Sequence, residues 1–157
     1  MAKRVKIGDV VEIVTSRGMA YSQVSHIKKR WGSLLRVLPG FFHERPMDFS
    51  EIVQRKEDFV TFFPLQAAVS RSVVEIVGNE EVPPRARVFP LFRNPGSIDR
   101  EGRIHDWWLW DGEREWQVGK LKRSQLKLPI LGVMNDTLLI ERIEEGWKPE
   151  NQPADQA

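Results

Sequence analysis

The feature that most constrains this sequence is a short segment in which four of its six tryptophans flank a turn dipeptide. Asp111-Gly112 is a pair that tolerates positive φ at a hairpin tip, and apolar runs lie on both sides of it. Trp107, Trp108 and Trp110 precede the turn, and Trp116 follows it. The segment therefore predicts a β-hairpin with bulky aromatic side chains on both faces.

Alternation along the first strand of this hairpin decides which rings share a face. Trp108 and Trp110 lie on one face, and Trp107 and Leu109 lie on the other. We expect the face of Trp108 to pack in the core, because each buried ring removes on the order of 200 Å² from water. The face of Trp107 is then the one that is partly open to solvent.

Length and composition limit the class of protein. The chain has 157 residues, which is the length of one domain, and 41% of them are hydrophobic, which excludes a disordered protein. No apolar run approaches the roughly 20 residues that span a bilayer. The basic start Met1–Lys6 is not followed by the hydrophobic core of an export signal. We therefore expect a cytoplasmic protein that has no membrane partner.

Charge and cysteine content exclude further classes. The formal net charge is only +2, which is too small to indicate nucleic-acid binding by the overall field and does not fit an acidic DNA mimic. The chain contains no cysteine. Disulfides, thiolate nucleophiles and zinc–thiolate sites are therefore excluded.

Apolar runs separated by turn residues predict several strands. The first three, joined by tight turns, are typical of an antiparallel meander or of half an SH3-like barrel. Further runs predict a buried strand that ends at Pro64, a strand that ends at Gly78, and a short extended segment that contains Pro90. The six predicted strands are Val10–Val14, Met19–Ile27, Ser33–Leu38, Phe59–Phe63, Val73–Val77 and Val88–Phe92.

Helix signals are fewer. Asp48 with Glu51 forms a capping-box pattern and predicts a helix, and Pro64 favours a turn or two of helix over Leu65–Ser70. Asn135-Asp136 and Gly146 are typical of the ends of a C-terminal helix. We predict an α+β fold, mostly antiparallel β with two or three short helices, in a single domain over residues 1–147. Residues 148–157 are predicted to be a flexible tail.

No catalytic or metal-binding pattern stands out. His26, His43 and His105 have no spacing that suits a common metal site, and the sequence contains neither a serine nucleophile elbow nor a phosphate-binding glycine loop. We therefore expect that this protein is not an enzyme and that it uses no metal or cofactor.

Two segments are candidates for a binding surface. Lys28, Lys29 and Arg30 followed by Trp31 could hold a phosphate backbone while the indole stacks on a base. Alternatively, this segment is a solvated loop whose tryptophan folds back onto the strands. The hairpin is the second candidate, because aromatic residues and arginine are enriched at protein-binding hot spots. There Trp107, or Trp110 in its place, would act with Arg93 and Arg114.

Five segments taken in succession resemble immunity protein 26, a family of bacterial polymorphic toxin systems. No single segment is specific, and the resemblance rests on their order and spacing over roughly residues 6 to 120. The segments are Gly8–Ile13, Phe62–Leu65, Val74–Glu80, Phe89–Arg93 and Trp107–Gly112.

The resemblance implies a non-enzymatic cytoplasmic protein that binds a cognate protein toxin and neutralises it. It implies no catalytic residues. The sequence thus favours a protein-binding module, and a nucleic-acid-binding β-domain that uses Lys28–Trp31 is the alternative.

Overall fold

The computed structural model describes residues 4–156 and has an α+β architecture with two antiparallel sheets, which confirms the predicted fold class. Contacts within the chain divide it into two compact units, Met1–Val88 with Val133–Trp147 and Phe89–Gly132 with Lys148–Ala157. The sequence predicted one domain over 1–147 and a flexible tail beyond it. By contacts, residues 148–156 belong to the unit that contains the tryptophan hairpin. The prediction about an export signal used Met1–Lys6, and residues 1–3 of that segment lie outside the described residues.

The first unit contains a sheet of five strands in the order β4-β3-β2-β1-β5. Every neighbouring pair is antiparallel. The sheet is open, with β4 and β5 at its edges. Strands β1 to β4 form the predicted meander, β5 is added beside β1, and the half-barrel alternative does not form. The strands are β1 (Asp9–Thr15), β2 (Gly18–Lys28), β3 (Gly32–Val37), β4 (Phe59–Phe63) and β5 (Glu75–Asn79).

One face of this sheet packs on helices. Val11 and Ile13 of β1 are buried in one cluster with Leu139 and Ile143 of the C-terminal helix. The helices of this unit are α1 (Leu65–Ser70), α2 (Pro84–Arg87) and α3 (Asp136–Glu145). The predicted ends of α3 are confirmed, because the Asn135 side chain accepts a hydrogen bond from the backbone N–H of Leu138 and Gly146 has a φ of +66°.

The connection between β3 and β4 covers the other face of the sheet. Its residues Phe49 and Ile52 pack on Val10 of β1 and Tyr21 of β2. The helix predicted from Asp48 is wrong, since only the 3₁₀ turn Ile52–Gln54 forms. The Asp48 carboxylate instead closes a local turn by accepting from the backbone N–H and the hydroxyl of Ser50.

The second unit is built on a three-stranded sheet in the order β6-β7-β8. Its strands are β6 (Phe92–Pro95), β7 (Trp107–Trp110) and β8 (Glu115–Gly119), and β7 and β8 form the predicted hairpin. At its tip the backbone N–H of Asp111 donates to the carbonyl of Arg114 at 3.1 Å. Gly112 has a φ of +100°, which explains the glycine. The strand predicted over Val88–Phe92 begins only at Phe92.

None of the helices in residues 4–156 combines the length and the apolar character that a bilayer crossing requires.

A buried arginine organises the interior of the first unit. The Arg36 side chain is fully buried. Its Nη1 donates to the Gln23 side chain and the Val53 carbonyl, both at 2.8 Å. Its Nη2 donates to the Arg55 carbonyl at 2.8 Å and to Glu57 at 3.2 Å. These hydrogen bonds hold the β3–β4 connection against the sheet.

A second polar cluster lies on the same side of the sheet. Glu12 and Tyr21 are directly opposite each other on β1 and β2, and the tyrosine hydroxyl donates to the carboxylate at 2.8 Å. Arg45 binds both Glu12 oxygens, at 2.8 and 3.0 Å, and Glu75 at 2.8 Å. The hydrogen bond from Arg45 is the main reason that the pKa of Glu12 lies below its ordinary value. Burial and the bond to Glu12 raise the pKa of Tyr21.

These contacts predict a pH-dependent contribution of Glu12 to stability. A carboxyl whose pKa is lower in the folded state stabilises the protein above its unfolded-state pKa, and this contribution is lost as the pH falls through the folded-state value. Glu12→Gln should therefore lower the free energy of unfolding by about 1–2 kcal/mol at pH 7. The difference from wild type should shrink as the pH falls below about 4.3.

Urea denaturation of both proteins between pH 7 and pH 3 measures this difference, and Glu113→Gln at the exposed hairpin tip is the matched control. A gap that stays constant or widens in acid would contradict the role given to Glu12.

Candidate functional site

Two of the three residues predicted to form a hot spot on the hairpin are buried. Trp107 is 1% exposed and Arg93 is 0% exposed, whereas Arg114 lies exposed at the hairpin tip. The prediction that the face of Trp107 is open to solvent is therefore wrong. In this structure neither Trp107 nor Arg93 presents its side chain to a partner.

Arg93 is an internal connector of the second unit. Its Nη2 donates to the Pro149 carbonyl at 2.8 Å, its Nε donates to the Leu128 carbonyl at 3.3 Å, and its guanidinium lies 5.2 Å from the centre of the Trp107 ring. Its backbone N–H and carbonyl bond to Pro129 and Leu131. Burial lowers the pKa of Arg93. Arg93 therefore holds β6, the loop at Leu128–Leu131 and the C-terminal segment together.

The other face of the hairpin is the accessible one. Trp108 and Trp110 are only half-buried, and Glu115 and Gln117 on β8 are exposed. The register places Trp110 opposite Glu115, and Trp108 between Asn94 on one side and Gln117 on the other. We call these five residues the outer hairpin face: Asn94, Trp108, Trp110, Glu115 and Gln117.

Carboxylates border the outer hairpin face. The Gln117 amide donates to both oxygens of Asp106, at 2.9 and 2.8 Å, and the Asn94 amide donates to Glu115 at 3.2 Å. At the nearby tip, the backbone N–H groups of Arg114 and Glu113 hold the pKa of Asp111 below its ordinary value. The half-exposed indoles are therefore bordered by negative charge, which suits a basic partner.

Strand β8 adds a free sheet edge beside this face. Among residues 4–156, no further strand pairs with β8, whereas β6 on the opposite edge is bridged to Ile130. Trp116, in the middle of β8, is 40% exposed and points to the same side as Leu109. An exposed edge of this kind can accept an extended segment of another protein by main-chain hydrogen bonds.

The basic loop predicted as a nucleic-acid site joins β2 to β3. Lys29 and Arg30 are exposed, Lys28 is half-buried, and the backbone N–H of Trp31 donates to the Lys28 carbonyl at 3.1 Å. The Trp31 ring is also half-buried and lies 5.7 Å from the Phe62 ring at a tilt of 30°. Its indole therefore packs on the sheet, as the alternative interpretation of this loop expected.

A serine and a histidine meet at a bulge that the sequence did not reveal. The pairing of β2 with β3 shifts between Val24 and His26, and the ring Nδ1 of His26 lies 3.0 Å from the Ser25 hydroxyl. The ring Nε2 lies 2.9 Å from the Arg87 carbonyl. Because a carbonyl only accepts, the Nε2 of His26 donates to Arg87. His26 therefore ties the last residue of α2 to the sheet, beside a cavity of about 430 Å³ whose lining includes both His26 and Arg87.

Metal-binding geometry is also absent from the described part of the chain. No three histidine, aspartate or glutamate side chains in residues 4–156 are grouped so that they could hold an ion. His105 pairs with Asp99 at 2.6 Å, and no third such residue joins them.

No family model, no curated protein and no solved structure matches this chain. The resemblance to immunity protein 26 therefore stays a prediction from the sequence.

The hairpin faces predict the stability of three variants. Trp107→Ala should lower the free energy of unfolding by about 3–5 kcal/mol, because it empties a buried site and removes the bond from the indole Nε1 to the Ala154 carbonyl. Trp108→Ala and Trp110→Ala remove half-buried rings and should cost about 1–2 kcal/mol each.

Urea denaturation of these three variants, followed by circular dichroism, tests the assignment of the faces. A larger loss for Trp108→Ala than for Trp107→Ala would show that the inner and outer faces have been exchanged.

Proposed function

We propose that this chain is a non-enzymatic, cytoplasmic protein-binding module of the immunity type, which binds and neutralises a cognate bacterial toxin. The outer hairpin face carries this proposal, because half-exposed tryptophans on a rigid sheet are typical anchors of protein interfaces. No cofactor, metal or catalytic residue takes part in the proposed activity.

Charge favours a basic partner. Asp106 and Glu115 border Trp108 through their bonds to Gln117 and Asn94, so a lysine or arginine of the toxin could contact both an indole face and a carboxylate. Although the net charge of the whole chain is only +2, this local arrangement is acidic.

The edge of β8 supports the same surface. Glu115 and Gln117 of the outer hairpin face belong to this strand. A partner segment paired with β8 would therefore bring its own alternate side chains onto the outer hairpin face. A stable complex of this kind should bury about 1,600 Å² in total and depend on a few anchors.

Co-purification from the native host, followed by mass spectrometry, tests the proposal. The wild-type chain should recover a stoichiometric protein partner that is toxic when produced alone and harmless when produced together with this chain. Trp108→Ala should lower recovery by at least about tenfold, because a hot-spot residue contributes 2 kcal/mol or more.

Met47→Ala is the control, since it removes a fully exposed apolar side chain of the first unit. Equal recovery by wild type and Trp108→Ala would exclude the outer hairpin face as the interface. A partner whose toxicity persists beside the wild-type chain would argue against the immunity role itself.

Binding of nucleic acid is the second candidate function, and the adjacent exposed cations Lys29 and Arg30 favour it. The packing of Trp31 on Phe62 opposes it, because the ring then offers at most one side to a base.

Fluorescence anisotropy with labelled single-stranded DNA and RNA at two salt concentrations distinguishes the two functions. If the chain is a protein-binding module, dissociation constants should be weaker than about 100 μM even at low salt. Tighter, strongly salt-dependent binding that the double variant Lys29→Ala/Arg30→Ala abolishes would favour the nucleic-acid function.

A further inference from the structure

The inner side of the second unit contains a groove that the chain fills with its own C-terminal segment. The groove borders a cavity of about 320 Å³. We call it the segment groove and define it by the residues of the sheet unit that line this cavity, Ile104, His105, Trp107, Lys120 and Leu121. Ala154 and Asp155 line it from the opposite side.

Backbone atoms of the segment make the specific bonds. The backbone N–H of Ile104 donates to the Asp155 carbonyl at 2.7 Å, and the indole Nε1 of Trp107 donates to the Ala154 carbonyl at 2.8 Å. Both acceptors are carbonyls that any extended chain provides. The groove thus recognises the shape of an extended chain more than the side chains of these two residues.

The segment itself is weakly buried. Pro153, Ala154 and Gln156 are exposed, and Gln152 and Asp155 are half-buried. The Trp107 ring that it covers is nevertheless 1% exposed. Little apolar area holds residues 152–156 in place, so their displacement costs little, while the groove beneath offers a large aromatic surface.

The rim of the groove is basic. Arg103 lies 3.8 Å from the Asp155 carboxylate, and both side chains are partly exposed. Lys120, also exposed, borders the same cavity. The charge of the rim therefore complements an acidic segment.

We propose that the segment groove binds an extended, acidic segment of a partner protein and that residues 152–156 are an internal competitor which this partner displaces. The internal occupant lowers the apparent affinity for the partner, because only the fraction of molecules whose groove is free can bind it. This site is distinct from the outer hairpin face and does not depend on the function proposed for that face.

A chain that ends at Asn151 tests the proposal, because it keeps the bond from Arg93 to Pro149 and leaves the groove empty. The probe is a fluorescently labelled peptide of residues 152–157, measured by anisotropy. The shortened chain should bind it with a dissociation constant between about 10 μM and 1 mM. The full chain should bind it at least about tenfold more weakly, because its own segment competes.

Two results would overturn the proposal. One is a shortened chain that keeps its circular dichroism spectrum and its cooperative melt but does not bind the peptide up to about 2 mM. The other is equal affinity of the shortened and full chains for the peptide. Loss of the folded state on shortening would also count against it, because a groove that collapses without residues 152–157 cannot receive another segment.

A charge exchange in the full-length chain provides a test that does not require truncation. Arg103→Glu should favour a probe peptide with lysine in place of Asp155 over the native peptide by about threefold, and wild type should show the reverse preference. Arg123→Glu, which reverses an exposed charge elsewhere in the same unit, is the control and should behave as wild type. Identical peptide preferences in wild type and Arg103→Glu would show that the charge of Arg103 does not contribute to recognition of the segment.

Discussion

The burial of one arginine in each unit is the constraint on which the rest of this structure depends. Arg36 and Arg93 are both fully buried, and most of their hydrogen bonds go to backbone carbonyls of neighbouring loops. A buried guanidinium without its acceptors would cost several kcal/mol. Each loop that provides a carbonyl is therefore held within hydrogen-bonding distance of a buried guanidinium. This explains how long irregular connections are fixed in a protein that has no cysteine and, among its described residues, no cluster of side chains suited to a metal ion.

Most elements of the fold could be predicted from local sequence, because each is specified by residues close together. The β-branched run at Val10–Val14, the caps Asn135 and Gly146, and the turn Asp111-Gly112 all act within a few residues. The helix expected from Asp48 failed because the same side chain can close a turn with Ser50. The division into two contact units has no local signal in the sequence. It depends on contacts between residues far apart in sequence, such as the bond from Arg93 to Pro149.

The candidate site was predicted less well than the fold. Alternation correctly separated Trp107 from Trp108, but it does not say which face is buried. The signal that decides this lay on β8, where Glu115 and Gln117 alternate with Trp116 and Val118. The hairpin register places Trp110 opposite Glu115, so the polar residues of β8 mark the outer face. The burial of Arg93 had no comparable signal, because its acceptors, the carbonyls of Leu128 and Pro149, lie far along the chain.

The separation of the two hairpin faces would allow one small sheet to provide stability on one face and the proposed binding surface on the other. Trp107, with Arg93 beneath it, stabilises the interior and forms the floor of the segment groove, so a partner there competes with residues 152–156. Trp108 and Trp110 are half-buried, so their replacement should cost less stability than that of Trp107, although Trp110 also packs on Phe89 and Phe92. The proposed immunity function would require this division, because specificity for one toxin requires a surface that changes without loss of the fold. A chain with all four hairpin tryptophans buried could not provide it.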